Sequence, residues 1–306
     1  MINFSVTILG CGSAKPTLRH YPSSQIVDYN GNLFMVDCAE AAQLQFRRYH
    51  FRDARLSHIF ITPSHGDHCL GLAGLLSSYS LSGRTDDIHI YAPLELEDIL
   101  NHQIEFFVKG AQFNIVFHPI DDCVGSVIYE DEAITVTPFP LLHKIPCFGF
   151  LFREKTAERH FKSECIERYG ISVEAIRDIK KGMDYTTADG TVIPNSELTT
   201  DPEPPRSYAY CCDTLPNNAN ATLLHGVDLI YHDSTYADAE TLLAGNNYHS
   251  TARQAAEFAK LCDAKKLILG HYSSRYETED KLLEEAKEVF ENTVLANEGV
   301  KVEVGK

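Results

Sequence analysis

The chain has 306 residues, of which 44% are hydrophobic and 23% charged, a globular composition that excludes collagen-like and intrinsically disordered classes. Its 27 Lys+Arg against 43 Asp+Glu leave a net charge of −16, and a chain this acidic does not hold a polyanion through its overall field. No apolar run reaches the ~18–20 residues needed to cross a bilayer, and MINFSVTILG lacks the basic start of a secretory signal. Nine cysteines without a CxxC pair point to reduced thiols in a cytoplasmic protein rather than a disulfide framework.

Alternating apolar residues predict strands over 4–9 and 25–36, the second broken by a turn at Asn30-Gly31. Helical periodicity follows over 39–49, then a short apolar strand over 56–62, a polar loop, and a helix over about 70–81. Residues 88–91 predict a strand and 94–108 a helix, before a β-rich stretch at 113–117, 124–129, 133–138 and 148–152. Residues 153–205 differ: they are charged, weakly periodic and end in DPEPPR. Residues 153–181 carry 8 Lys+Arg against 6 Asp+Glu inside the acidic chain. This segment reads as an inserted arm. Strand–helix alternation resumes with strands at 208–212, 229–232 and 266–269 and helices at 252–261 and 278–292. Two sheets packed face to face and covered by helices satisfy the pattern, giving one α/β domain over 1–306 with an arm at 153–205.

Histidines and aspartates gather where the predicted strands end. Ser64-His65-Gly66-Asp67-His68 follows the strand 56–62, putting three potential metal ligands within four residues. Asp37 closes FMVDC, His143 follows the strand 133–138, Asp213 closes AYCCD, His232-Asp233 closes LIYHD and His271 closes KLILGH. A single polar residue at a strand end is ordinary, but so many carrying His or Asp point to a metal site. Imidazole and carboxylate suit zinc-like divalent ions, and a paired site activates water for phosphodiester or ester hydrolysis without a protein nucleophile. No GxSxG, P-loop or Rossmann fingerprint competes with this reading.

In this order the motifs resemble the metallo-β-lactamase superfamily and, within it, the ribonuclease Z family of tRNA 3′-end endonucleases. The matching segments are LGCGSAKP, MVDCAEAAQLQFRR, FITPSHGDHCLGLAGLL, LLHKIPCFGF, YCCDTLP, LIYHDSTYAD, NNYHSTARQAAEFAK and LILGHYSSRY. The resemblance implies a four-layer αβ/βα sandwich, a homodimer and a dinuclear zinc site, with manganese as an alternative metal. It places His65, His143 and Asp213 on one ion, and Asp67, His68, His271 and the bridging Asp213 on the other. Asp67 is expected to orient the attacking water, and His249, supported by Asp233, to protonate the leaving oxygen. Precursor tRNA is the implied substrate. The alternative is a paralogue acting on a small phosphodiester or ester with a weakened or single metal site.

Two departures bear on that choice. The family pattern is His-x-His-x-Asp-His, and Pro63 stands where the first His belongs. HDST replaces His-Glu-Ala-Thr, shortening the acid at Asp233 by one methylene. In the arm, GISVEAIRDIKKG lacks the family's Gly-Pro but keeps Arg177, Lys180 and Lys181 as candidate RNA contacts.

Overall fold

The computed structural model describes residues 2–305. In chain order the first half supplies β1 (Phe4–Gly10), β2 (Ser24–Tyr29), β3 (Asn32–Cys38), α1 (Ala42–Arg48), β4 (Leu56–Phe60), α2 (Gly66–Cys69), α3 (Leu72–Leu81), β5 (Ile88–Ala92), α4 (Glu95–Phe107) and β6 (Ile115–Pro119). β7 (Tyr129–Glu130), β8 (Ile134–Pro140) and β9 (Phe148–Glu154) follow. The segment after β9 holds β10 (His160–Phe161), α5 (Glu164–Tyr169), α6 (Val173–Lys180), β11 (Tyr185–Thr186), β12 (Val192–Ile193), α7 (Asn195–Leu198) and β13 (Thr199–Thr200). The chain closes with β14 (Ser207–Cys211), β15 (Leu229–Asp233), α8 (Thr241–Asn247), α9 (Ala252–Leu261), β16 (Leu267–Gly270), α10 (Asp280–Lys287), β17 (Thr293–Leu295) and β18 (Lys301–Glu303).

Two seven-stranded sheets result, in the orders β18-β1-β2-β3-β4-β5-β6 and β17-β16-β15-β14-β9-β8-β7. β1, β2 and β3 pair antiparallel, whereas β3 to β6 and β14 to β17 run parallel. Strands buried on both faces need continuous apolar runs, and β1, β14, β15 and β16 are buried throughout. Aromatic rings fasten the inner faces together: Phe60 meets Phe150 and Phe152 at centroid distances of 5.3 and 5.6 Å, and Phe34 meets Phe152 at 5.8 Å. On the outer face of the first sheet, α1 and α3 close a second apolar layer around Phe46, Leu72, Leu75 and Leu76. The sandwich with helices outside both sheets is the α/β architecture expected.

The chain folds as two compact units. One comprises the residues up to Tyr129, Val136–Phe152 and Arg206 onward; the other comprises Glu130–Thr135 and Arg153–Pro205. The smaller unit has its own core of Cys165, Ile171, Ile179, Ile193 and Leu198. Its α6 is capped by Ser172, whose hydroxyl accepts from the Ala175 N–H at 3.3 Å. The helix carries the exposed Arg177, with the exposed Lys181 just beyond it, while Lys180 is half-buried.

Several boundaries differ from the periodicity. The expected strand 124–129 shrinks to Tyr129–Glu130 because successive turns, Cys123 N–H to Ile120 O and Ser126 N–H to Cys123 O, occupy the segment. The expected helix 70–81 begins at Leu72, separated from α2 at Gly71, where a Cβ would lie 2.0 Å from the Ala39 carbonyl oxygen. The expected helix 278–292 ends at Lys287, and β17 and β18, not foreseen, follow it. Among the described residues, no helix is long and apolar enough to cross a membrane.

Candidate metal centre

Parallel strands end together at one edge of the sandwich, the place where open α/β sheets present their functional side chains. Asp37 lies at the end of β3, the loop Pro63–His65 and α2 follow β4, and Asp213 follows β14. Asp233 closes β15 and His271 follows β16. Asp37, Asp213 and His271 adopt left-handed backbone conformations, with φ of 58°, 52° and 61°. Non-glycine residues rarely do so, and such positions concentrate at functional sites. Next to His271, Gly270 leaves space for the Tyr231 ring, because a Cβ there would stand 2.1 Å from its hydroxyl.

The centre is Asp213. Its carboxylate faces His271 Nε2 at 2.7 Å, His68 Nε2 at 3.3 Å, His65 Nδ1 at 3.4 Å and His143 Nε2 at 3.6 Å. Asp67 Oδ2 lies 3.7 Å from His68 Nε2 and 3.8 Å from His271 Nε2, and accepts the Ala14 N–H at 2.7 Å. The six residues assigned to metal from the sequence are thus brought to one place.

The far sides of three of these imidazoles, His68, His271 and His143, are held by the protein. His68 Nδ1 donates to Asp37 Oδ2 at 2.8 Å, and Asp37 is fixed by the Thr62 N–H at 2.9 Å and the Tyr210 hydroxyl at 2.9 Å. His271 Nδ1 meets the Thr235 hydroxyl at 2.9 Å, and His143 Nδ1 donates to the Tyr248 carbonyl at 3.2 Å. With Nδ1 engaged as donor, Nε2 keeps its lone pair for a cation, the usual outer support of a metal-binding histidine.

Three buried polar atoms at the centre make no well-formed hydrogen bond: His68 Nε2, and His271 Nε2 and Asp213 Oδ1, which face only each other at 2.7 Å. Leaving such atoms unsatisfied costs about 1–3 kcal/mol each, and a divalent ion among them removes the penalty. Donor chemistry and orphaned atoms both fit a metal. Without one, the cluster holds protons instead. Burial would lower the His271 imidazole, but the Asp213 carboxylate outweighs it and pushes it up to about 10. Burial would raise the Asp213 carboxyl, but His271 and His68 hold it well below the carboxylate range.

Beside the centre stands a second pair. His249 Nδ1 lies 2.8 Å from Asp233 Oδ2, and Asp233 is fully buried, accepting from the Thr214 N–H at 3.1 Å, the Thr235 N–H at 2.9 Å and the Thr235 hydroxyl at 2.7 Å. Pro63 pairs through its backbone with Cys147 and offers no donor to the His65–His143 side. The cleft over these groups measures about 400 Å³ and includes Lys15, Lys144, Ser273 and Asn247. The two lysines escaped the sequence reading, although both lie within motifs singled out there, LGCGSAKP and LLHKIP. Arg177, Lys180 and Lys181 belong to the other compact unit and are not among the residues lining this cleft.

Solved structures share the fold. Human tRNase Z, short form, aligns with a TM-score of 0.70 and 27% identity, covering 97% of this chain and 98% of its own. The metallo-β-lactamase fold protein YhfI from Bacillus subtilis aligns at 0.68 with 17% identity, over 98% and 99%. Fold and site therefore define a metallo-β-lactamase-fold, metal-dependent hydrolase. Ribonuclease Z of Bacteroides fragilis is 46% identical over 300 residues, 98% of this chain and 99% of the relative, and that of Porphyromonas gingivalis 44% over 304 residues, 99% and 100%. The chain belongs to the ribonuclease Z family and, through residues 4–176, to the family whose model is described as Anti-Pycsar protein Apyc1.

Proposed function

We propose that the chain is an endoribonuclease that cuts precursor tRNA on the 3′ side of the tRNA body, leaving a 3′-hydroxyl. The observation that carries the reading is the convergence of His68, His271 and Asp213 on one point, with the His249–Asp233 pair alongside. His68, His271, Asp213 and Asp67 would hold one divalent ion, zinc or manganese. His65, His143 and Asp213 would hold a second, one donor short at Pro63. Such an ion supplies an activated water and a clamp on the phosphodiester oxygens.

The remaining work falls to the chain's own side chains. The Asp67 carboxylate, steadied by the Ala14 N–H, orients the attacking water. His249 has Nδ1 occupied by Asp233, which leaves Nε2 as the atom that would pass a proton to the departing ribose oxygen. Asp233 keeps the imidazole oriented, a role the shorter carboxylate fulfils here at 2.8 Å. Lys15 and Lys144 bring positive charge to a cleft in an otherwise acidic chain. We assign Arg177, Lys180 and Lys181 of the inserted unit to RNA contact, and a homodimer as the assembly.

A second reading, hydrolysis of a small phosphodiester or ester, draws on Pro63 and on the arm's lack of Gly-Pro. Purified protein supplied with zinc or manganese is expected to cleave precursor tRNA. Cleavage of a small phosphodiester with precursor tRNA left intact would refute the assignment. Removing 153–205 separates the readings further: an RNA enzyme loses substrate affinity, whereas a small-molecule hydrolase keeps its turnover.

A further inference from the structure

We propose that Cys212 is a metal ligand, its thiolate joining His68, His271 and Asp213 around one divalent ion. The inference rests on the metal-dependent reading above and deepens it. Ligand atoms of these four residues all lie within 4.8 Å of one another, and all four side chains are buried. Donors about 2.0–2.3 Å from a four-coordinate zinc stand within about 4 Å of each other, so only small side-chain movements close the set. His68 Nε2, at 0% exposure, makes no hydrogen bond, and His271 Nε2, at 1%, faces only the Asp213 carboxylate of the same set. These orphaned atoms point to a ligand independently of the cysteine.

What surrounds the sulfur does not hold it elsewhere. Its neighbours are the Ser23 hydroxyl at 3.6 Å and the Tyr210 hydroxyl, which itself donates to Asp37. Sulfur is a weak partner for either. Asp67, by contrast, is in none of the groups whose donor atoms lie so close, and its Oδ2 is engaged by the Ala14 N–H. Cys212 adds a thiolate to two imidazoles and one carboxylate, a buried set that owes nothing to position 63 and stands beside the Asp67 carboxylate. A thiolate also biases the site toward zinc, cobalt or cadmium over magnesium and manganese.

The test uses the full chain, stripped of metal under reducing conditions and titrated with Co(II). Bound cobalt is expected to show a thiolate-to-metal charge-transfer band in the near ultraviolet. Cys212→Ser should lose that band, while Cys123→Ser should keep it. Elemental analysis runs in parallel. Bound cobalt without the band, or a band that survives in Cys212→Ser, overturns the ligand assignment and leaves the metal site standing. No bound metal at all overturns the metal-site reading itself. Should Cys212→Ser fail to fold, cadmium-113 NMR of the wild type decides. A sulfur-shifted resonance supports the ligand, and one typical of nitrogen and oxygen donors alone refutes it.

Discussion

The two sides of the metal centre share Asp213 but are built differently. On the inner side, His68 and His271 are 0% and 1% exposed, and their outer nitrogens are fixed by Asp37 and Thr235. On the outer side, the His65 side chain is 38% exposed, His143 leans on a backbone carbonyl, and Pro63 contributes nothing. The inner side is thus preorganised by buried hydrogen bonds, whereas the outer side stands at the cleft mouth with two imidazoles and a shared carboxylate. Affinity for a cation follows donor number and the rigidity of the groups behind the donors. Unequal metal binding is the expected consequence.

Asp213→Ala removes the shared carboxylate and should produce the largest effect. Both sides lose their ion, and turnover falls below detection in a metal-content and cleavage assay on the same preparation. His249→Ala leaves both sides intact. It should lower turnover by about 10²–10⁴-fold, the usual contribution of a positioned acid, with metal content and KM unchanged. A fall in metal content instead would place His249 among the ligands. Asp37→Asn acts on the inner side alone, since Asp37 touches His68 and neither outer histidine. It should weaken the tight ion by about 10–100-fold, read by competition with a chelating dye.

Another histidine sharpens the contrast by being held between two carboxylates. His20, 8% exposed, lies 3.0 Å from Glu298 and 3.4 Å from Glu279. Burial would lower its imidazole, but the two carboxylates outweigh this and raise it from 6.5 to about 9. A group whose folded value is raised stabilises fully below its unfolded value and loses that contribution as pH rises through the folded one. Stability of the metal-free protein should therefore decline between about pH 6.5 and pH 9, by an amount on the order of 2–3 kcal/mol. Denaturant midpoints across that range check it, and His20→Gln should flatten the slope.

Much of the centre was legible because the strands feeding it are buried on both faces and read as apolar runs. In such runs the first His or Asp stands out, as in LIYHD and KLILGH. The exchange at Pro63 was equally plain, since a residue's donor chemistry needs no coordinates. Less visible were features that no period encodes. Lys15 and Lys144 reach the cleft from loops, and the proposed partnership of Cys212 with His68 depends on the end of β14 meeting the helix after β4. β17 and β18, three residues each, are too short to carry an alternation. The inserted unit looked aperiodic because its core is five residues spread from Cys165 to Leu198 across short helices and loops. The net charge of −16 first argued against a polyanionic substrate; residues 277–291, with 7 acids against 2 lysines, account for part of it. The proposed RNA contact is then expected to be local, and its salt dependence shallow.

The inequality of the two sides is tested most directly by metal content per chain, measured on wild type and Pro63→His after the same dialysis. One tightly held ion in the wild type and two in Pro63→His is the expected result. Two tightly held ions in the wild type would contradict it.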